Sequence, residues 1–497
     1  MTDEISRLAA ESLKSGTLNN LPGQLYIGGR LVSATSGERM ESFDPGSGRA
    51  FAAFDIANSA DVDHAVVNSH KALMGAWRNT KPAERAAILY KAGQLLRRDI
   101  ARLSVAEVLD SGKTLNEAQW DVLASARMFE YYAGIADKLQ GATIPLGPDY
   151  VSMTIQEPVG VTAHIIPWNY PTSTMVRGIA PALAAGCTAV CKPAETTPMT
   201  ALMIAELLTE AGLPDGVCNI VTGIGPVTGQ ALATHPLVRH ITFTGSVKTG
   251  ILTMQNAALN VASVTLELGG KSPMVVLNDA DIEAAVDGAR WAIYSNAGQV
   301  CSAGSRLIVE RKIHAELIEK FAKTSAELKV GHGLRNLDVG AINSLAQLDK
   351  IAGYVADAKA RGLSVPTGGE KMADPETGKG WFFQPTIIDN LKIDDRLVQE
   401  EIFGPVMVVQ VVDSAEEALA AANATQFALA AGIYTRDITK ALRFARDIDA
   451  GQVYINEYYA GGIEVPFGGN KFSGFGREKG LDGVKAYLRT KAVTARI

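Results

Sequence analysis

Val159-Gly160-Val161-Thr162-Ala163-His164-Ile165-Ile166 is a short, mostly apolar run, and four more such runs follow it: Thr188 to Cys191, Cys218 to Val221, His240 to Phe243 and Val264 to Leu266. Amphipathic segments of about 10 to 15 residues separate them, the spacing of successive strand–helix units on a parallel sheet. Pro158 to Gly270 therefore predicts a doubly wound α/β nucleotide-binding domain. Upstream, Pro82 to Leu139 has Leu89, Ala92, Leu95 and Leu96 at helical spacing and reads as helices packed on that sheet. Downstream, helix, strand, helix patterns start again at Asp281 to Ser295, Ser305 to Val309 and His314 to Leu328, which predicts a second α/β domain. Gly461 to Gly476 reads as a long loop or turn series, and Leu481 to Ile497 ends strand-like.

The chain has 497 residues, 47% hydrophobic and 20% charged, enough for roughly three domain-sized units. A formal charge of −6 and a pI near 5.8 provide no field that recruits nucleic acid or anionic lipid. The N-terminal stretch carries Asp3, Glu4, Arg7, Glu11 and Lys14, with neither a secretory signal nor a membrane span expected. The cysteines, Cys187, Cys191, Cys218 and Cys301, are too sparse for a disulfide framework and have no metal-ligand spacing. Reduced thiols in a cytoplasmic setting, and no metal, are the expectation.

A cysteine nucleophile needs a thiolate and an approach route, so it belongs in a loop of small residues. Only Cys301 lies in one, Asn296-Ala297-Gly298-Gln299-Val300-Cys301-Ser302-Ala303-Gly304-Ser305-Arg306; the other three sit in or beside apolar patterns that suit a core. This loop, together with Glu267-Leu268-Gly269-Gly270-Lys271-Ser272-Pro273, resembles the paired active-site signatures of the aldehyde dehydrogenase superfamily. Pro167-Trp168-Asn169-Tyr170-Pro171, Glu400-Glu401-Ile402-Phe403-Gly404-Pro405-Val406 and Pro466-Phe467-Gly468-Gly469-Asn470-Lys471 are similar to three further family blocks, in the family's order. The resemblance spans about Ile27 to the C-terminus and points to the hydrolytic, non-acylating branch.

The resemblance implies an NAD-binding domain from residues 1–140 and 158–267, a catalytic domain from 268–470 and a small β oligomerisation element from 141–157 and 480–497, in a homodimer or homotetramer. It implies oxidation of an aldehyde to a carboxylic acid, with Cys301 as nucleophile, Asn169 and the Cys301 N–H holding the oxyanion, and Glu267 as the base that hydrolyses the thioester. Read alone, Asn169 is better explained as a cap for a helix beginning after Pro171, and Glu267 as the start of a solvated turn, against which the Gly269-Gly270 pair argues because it allows close approach to a ligand. Cofactor contacts are implied at Ile165, Pro167, Trp168, Lys192, Glu195, Gly225, Gly245, Ser246, Gln347, Glu401 and Phe403, with Lys350 beside them. Gly223 to Gly229 is similar to Gly-x-Gly-x-x-Gly but one residue too long, with Pro226 at the helix start; the resemblance implies that the pyrophosphate lies instead at the later turn matched by Gly245 and Ser246. Glu195 suits the two ribose hydroxyls and repels a 2′-phosphate, favouring NAD over NADP.

Two positions depart from the family pattern. Gly178 stands where many members have a lysine that relays protons with a glutamate matched here by Glu478. Arg177 is matched in relatives acting on carboxylate-bearing semialdehydes, so it is a candidate substrate contact, with Tyr170, Thr174, Val300 and Ser302 shaping the same tunnel; an arginine salt-bridged on a helix face is the competing reading. The substrate is left open between such a semialdehyde and an aromatic or aliphatic aldehyde. Competing functions are an acylating, CoA-dependent dehydrogenase, which generally lacks the base; a non-catalytic protein on this fold, which does not need Cys301, Asn169 and Glu267 together; and a cofactor-free cysteine hydrolase, for which none of the seven histidines lies in a nucleophile–base motif.

Overall fold

A computed structural model describes residues 2–497. Three sheets organise the chain. The first has eight strands, with Val161–Ile165 near its middle, flanked by Thr188–Lys192 and then Cys218–Ile220 on one side and by Val238–Thr244 and then Ser263–Glu267 on the other. These five run parallel. The chain moves outward from Val161–Ile165 in one direction and then crosses back to the other, so the topological switch lies between this strand and Val238–Thr244. Open α/β sheets bind ligands at the carboxyl ends of strands beside such a switch. The expected five strands are all present.

Local chemistry sets the boundaries. Helix Pro171–Ala185 opens on a proline at its first position and closes on Gly186 at φ 93°, and helix Met199–Ala211 closes on Gly212 at φ 98°. Both glycines take the left-handed conformation that ends a helix without a Cβ penalty. Upstream, the expected helical region divides into Pro82–Arg98, Ile100–Ser111 and Leu115–Ala133, packed with Pro171–Ala185 into one core.

The second sheet has seven strands centred on Arg306–Glu310, which lies between Val406–Val412 and Pro273–Val276. The expected helix, strand and helix appear as Ile282–Tyr294, Arg306–Glu310 and Arg311–Ala326. Pro273–Val276 was not expected as a strand; four residues opening on a proline, two residues after a Gly-Gly pair, leave little periodicity to read. The loop with Cys301 therefore enters Arg306–Glu310, the second strand of this sheet in chain order. Gly461 to Gly476 contains two short strands, of which Gly474–Phe475 pairs with the first sheet at Leu266 and Glu267. The third sheet pairs Leu488–Arg496 with Tyr150–Pro158, and Thr143–Ile144 lies on its other side. Tyr150, Val151, Met153 and Ile155 are exposed on it. Among the described residues no helix is long and apolar enough to cross a membrane.

One ionic cluster braces the wall beside the cleft. Lys113, fully buried, donates 3.1 Å to Glu107 and contacts Asp121, and its ammonium lies 4.3 Å from the centre of the Tyr170 ring. Two carboxylates share one ammonium, and burial pushes Asp121 up to about 7. Removing the cation leaves buried charge unpaired, so Lys113→Met is expected to cost about 3–5 kcal/mol. A carboxylate raised in the folded state stabilises it progressively as pH falls through the folded value, because the folded form then holds the extra proton. The deficit of Lys113→Met, read as a urea midpoint, should therefore be largest near pH 8 and shrink toward about pH 5; a pH-independent deficit would show that the ammonium does not compensate these carboxylates.

Candidate active site

The carboxyl ends of the central strands and the loops of the second sheet enclose a cleft of about 580 Å³, in the range of small-molecule sites. Ile165, Pro167, Trp168 and Asn169 line it from the switch-point strand. Lys192 and Glu195 line it from the next strand, and Gly225, Gly245 and Ser246 from the turns beyond. Gln347, Lys350, Glu401 and Phe403 reach it from the second half of the chain, and Glu267 and Cys301 join them. Every cofactor contact expected from the sequence thus lies on one surface.

The loop bearing Cys301 is held by side-chain amides. Asn296 and Ala297 adopt left-handed backbone at φ 47° and 52°, conformations unusual for residues with a Cβ, and Gly298 follows at 73°. A Cβ at Gly298 would stand 2.0 Å from the Gly404 carbonyl. Asn296 Nδ2 donates to the Asn169 carbonyl (3.0 Å), and Asn169 Nδ2 donates to the Gln299 carbonyl (2.9 Å). The Gln299 amide in turn donates to Asn296 and Ala341 and accepts from the Asn343 N–H. An amide nitrogen has two protons, so Asn169 keeps one to aim at a ligand. The capping reading of Asn169 is excluded, since Tyr170 occupies the cap position of helix Pro171–Ala185 and no side chain caps it.

Glu267 ends its strand only 1% exposed, with neither carboxylate oxygen hydrogen-bonded, so it does not start a solvated turn. Gly270 lies against the nucleophile loop, where a Cβ would stand 2.4 Å from the Cys301 carbonyl. Its N–H donates 2.9 Å to Glu401, and Gln347 donates to the carbonyls of Ile402 and Phe403. Phe403, at φ 61°, meets Trp168 edge-to-face at 5.3 Å. Ser246 caps helix Val247–Ala258 by accepting the Thr249 N–H, which leaves the first amides of that helix facing the cleft. Buried Lys192 donates 3.1 Å to Glu195. These donors, the open backbone at Gly225, which a Cβ would enter without contact, and the unpaired amide ends suit a dinucleotide.

The five expected substrate residues do not line this cleft. Val300 and Ser302 flank Cys301 and are buried, with the Ser302 carbonyl accepting 3.0 Å from Tyr458. Thr174 is buried on its helix, and the Tyr170 ring faces Lys113. Arg177 forms an ion pair with buried Glu478, lies 5.1 Å from the Phe467 ring and donates 3.3 Å to Thr244. The competing ion-pair reading of Arg177 is therefore the one observed. Gly178 has a steric cause: a Cβ there would stand 2.5 Å from His164 Nδ1, so the imidazole occupies the space a lysine stem requires.

Electrostatics tie these groups together. Burial pushes the Cys301 thiol up to about 12, opposed by the Arg177 guanidinium and reinforced by Glu267 and Glu401. Glu267 is held well above the usual carboxylate range by burial and by Glu478, against the pull of Arg177, Arg477 and Lys479. Clamping residues Asn296, Gln299 and Asn343, and the Glu478 partner of Arg177, were not singled out for these contacts from sequence. An Asn or Gln in a small-residue loop signals a turn, and its long-range partner is invisible along the chain.

The aldehyde dehydrogenase family model matches residues 31–493. The chain is 41% identical over 473 residues to betaine aldehyde dehydrogenase of Bacillus subtilis (strain 168), covering 94% of this chain and 96% of that one. It is 40% identical over 487 residues to 4-trimethylaminobutyraldehyde dehydrogenase A of Danio rerio, covering 97% and 96%. A structure described as an NAD+ complex of aldehyde dehydrogenase from Bacillus cereus superimposes with a TM-score of 0.94 at 40% identity, covering 96% of this chain and 97% of that one. An indole-3-acetaldehyde dehydrogenase solved with NAD+ gives 0.96 at 36% identity, covering 99% and 100%.

A thiol near 12 is almost wholly protonated at neutral pH. Alkylation of Cys301 by iodoacetamide in cofactor-free protein, followed on its peptide by mass spectrometry, should rise about tenfold per pH unit beyond pH 9 with no plateau. Arg177→Leu removes the cation that favours the thiolate and should slow labelling at every pH. A plateau below pH 8 would contradict the electrostatic account.

Proposed function

The chain belongs to the aldehyde dehydrogenase family, and from that premise we propose that it oxidises an aldehyde to a carboxylic acid through a thioester on Cys301, with NAD+ as the oxidant. The observation that carries this reading is the convergence of Cys301, Asn169 and Glu267 on one cleft floor, beside donors that suit a dinucleotide. Bound nicotinamide supplies the hydride acceptor. Cys301 attacks the aldehyde carbon, and the free Asn169 N–H with the Cys301 backbone N–H holds the oxygen that becomes negative. Glu267, whose carboxyl burial holds well above the usual carboxylate range, takes a proton from the water that hydrolyses the thioester.

Glu195, its side chain 42% exposed at the cleft and bonded to Lys192, supports NAD+ over NADP+, because a 2′-phosphate there meets a carboxylate. Arg177 supports an uncharged aldehyde rather than a carboxylate-bearing one, since Glu478 already compensates its charge. Assembly with like chains is supported by the exposed apolar residues Ile251, Leu252, Met254 and Val261 near and on one helix and Met153 and Ile155 on the third sheet.

Glu267→Gln separates the two half-reactions. It should give a stoichiometric burst of NADH followed by turnover slowed about 100-fold or more, with an acyl group retained on the Cys301 peptide. Loss of the burst itself, or unchanged turnover, would sink the assignment of Glu267 to hydrolysis. Arg177→Leu should lower kcat/KM for neutral and carboxylate-bearing aldehydes by similar factors; a loss confined to acidic aldehydes would restore a direct substrate contact.

A further inference from the structure

The loop that carries Cys301 is both buried and left-handed, so its shape has to be held from outside. Asn296 and Ala297, at φ 47° and 52°, are 2% and 1% exposed. Residues with a Cβ persist in that conformation only where the surroundings over-determine it, and a backbone N–H turned inward there needs an acceptor. The Asn296 N–H finds one 179 residues earlier in the chain, donating 2.6 Å to Glu117 Oε1. Glu117 stands in the first turn of helix Leu115–Ala133, which packs with Pro171–Ala185 beside the first sheet.

Helix capping accounts for only one of the two Glu117 oxygens. Its Oε2 accepts from the Thr114 N–H and the Thr114 hydroxyl, each at 2.9 Å, and Thr114 Oγ1 accepts from the Glu117 N–H, which closes a capping box. The second oxygen is spare for that purpose and reaches across to the nucleophile loop. The turn just before this helix makes two further ties to the same loop. The Gly112 carbonyl accepts 2.8 Å from the Ala341 N–H, and the Ala341 carbonyl accepts from Gln299 Nε2. The carbonyls of Asp110 and Ser111 accept from Asn343 Nδ2, and the Asn343 N–H donates to Gln299 Oε1. Gln299, two residues before Cys301, is thereby fixed at both ends of its amide. A Cβ on Gly340 would stand 2.3 Å from the Gly112 carbonyl, so the approach of the two segments is close enough to require a glycine. The same turn braces the facing wall, because the Glu107 carboxylate that pairs with Lys113 also accepts the hydroxyl of Thr172, three residues after Asn169.

We infer that Glu117 is a positioning residue for the nucleophile: its spare carboxylate oxygen holds the Asn296 turn so that the Cys301 sulfur and the Asn169 amide keep one mutual geometry. The inference rests on the proposed role of Cys301. Asn296 grips the Asn169 carbonyl through its own side chain, so a shift of its backbone displaces the thiol relative to the oxyanion donor. Misplacing the reacting atoms by about 1 Å can slow a reaction about 100-fold. Residues 110–117 stand outside the lining of the cleft, so cofactor affinity distinguishes lost positioning from a general loosening of the site.

Thr114→Ala and Glu117→Ala open the same capping box, but only Glu117→Ala releases the Asn296 N–H. Both should lower the thermal midpoint by a similar, small amount. With saturating aldehyde and NAD+, Glu117→Ala should lower kcat and the rate of the NADH burst about 100-fold, while Thr114→Ala stays within about threefold of the parent. Glu117→Gln keeps one carbonyl oxygen for two N–H donors and should recover to a loss of about tenfold. The Kd for NAD+, read by titration calorimetry, should be the same in all three. Equal activity losses in Thr114→Ala and Glu117→Ala would overturn the inference, since helix stability alone produces that pattern, and so would a weakened NAD+ Kd that accounts for the loss. If Glu117→Ala does not fold, Glu117→Gln decides: a kcat within about twofold of the parent rejects the positioning role. Cys301→Ser run alongside keeps the two readings apart. Full turnover in that variant sinks the nucleophile, whereas its inactivity beside normal Glu117 variants sinks the positioning role alone.

Discussion

Two side-chain amides tie the molecule's chemistry together. Asn296 donates to the Asn169 backbone, and Asn169 donates to the backbone of Gln299, so the turn at the end of the switch-point strand and the loop entering Arg306–Glu310 are locked face to face. Asn169 comes from the carboxyl end of a central strand of the first sheet and Asn296 from the second half of the chain. Without this exchange, the sulfur of Cys301 and the amide of Asn169 have no common reference frame. The left-handed backbone at Asn296 and Ala297 is the local strain this lock maintains. Gly270 and Gly298 permit the close backbone approaches that complete it.

Inside that frame, charge is arranged in series rather than in isolated pairs. Arg177 faces Glu478, and its field reaches Glu267 and Cys301, lowering both against the burial that raises them. Burial raises each group and the neighbouring charges set how far, so neither is set by its own side-chain chemistry alone. The departure at Gly178 belongs to the same logic. An imidazole from the neighbouring strand occupies the space, so the cationic partner of Glu478 is Arg177, one residue earlier on the helix.

Beside this arrangement, one face of the first sheet is polar. Thr242, Thr265 and His240 form part of the interior, yet they contribute hydrogen bonds where aliphatic side chains would contribute only packing. Alternation of side chains across a strand puts Glu267 and this row on one face as a matter of geometry. Along the chain, His240 to Phe243 reads as one of five short apolar runs, and the polar face it shares with Thr265 and Glu267 emerges only from the register of the sheet.

Much of the architecture was legible in order of residues alone. Five apolar runs at strand–helix spacing specify a parallel sheet, because burial on both faces demands continuous apolar stretches and the connecting helices demand their length. The small-residue loop singled out Cys301 among four thiols, since local composition decides whether a sulfur can be reached. Short elements such as Pro273–Val276 and Gly474–Phe475 were not legible, because they are stabilised by neighbours in the sheet and not by their own pattern. Nor could the chain decide between Arg177 as a substrate contact and Arg177 as an ion-pair partner. Glu478 lies 301 residues further on, and the competition between a ligand and a buried carboxylate for one guanidinium is settled by distance in space, which only the tertiary structure supplies.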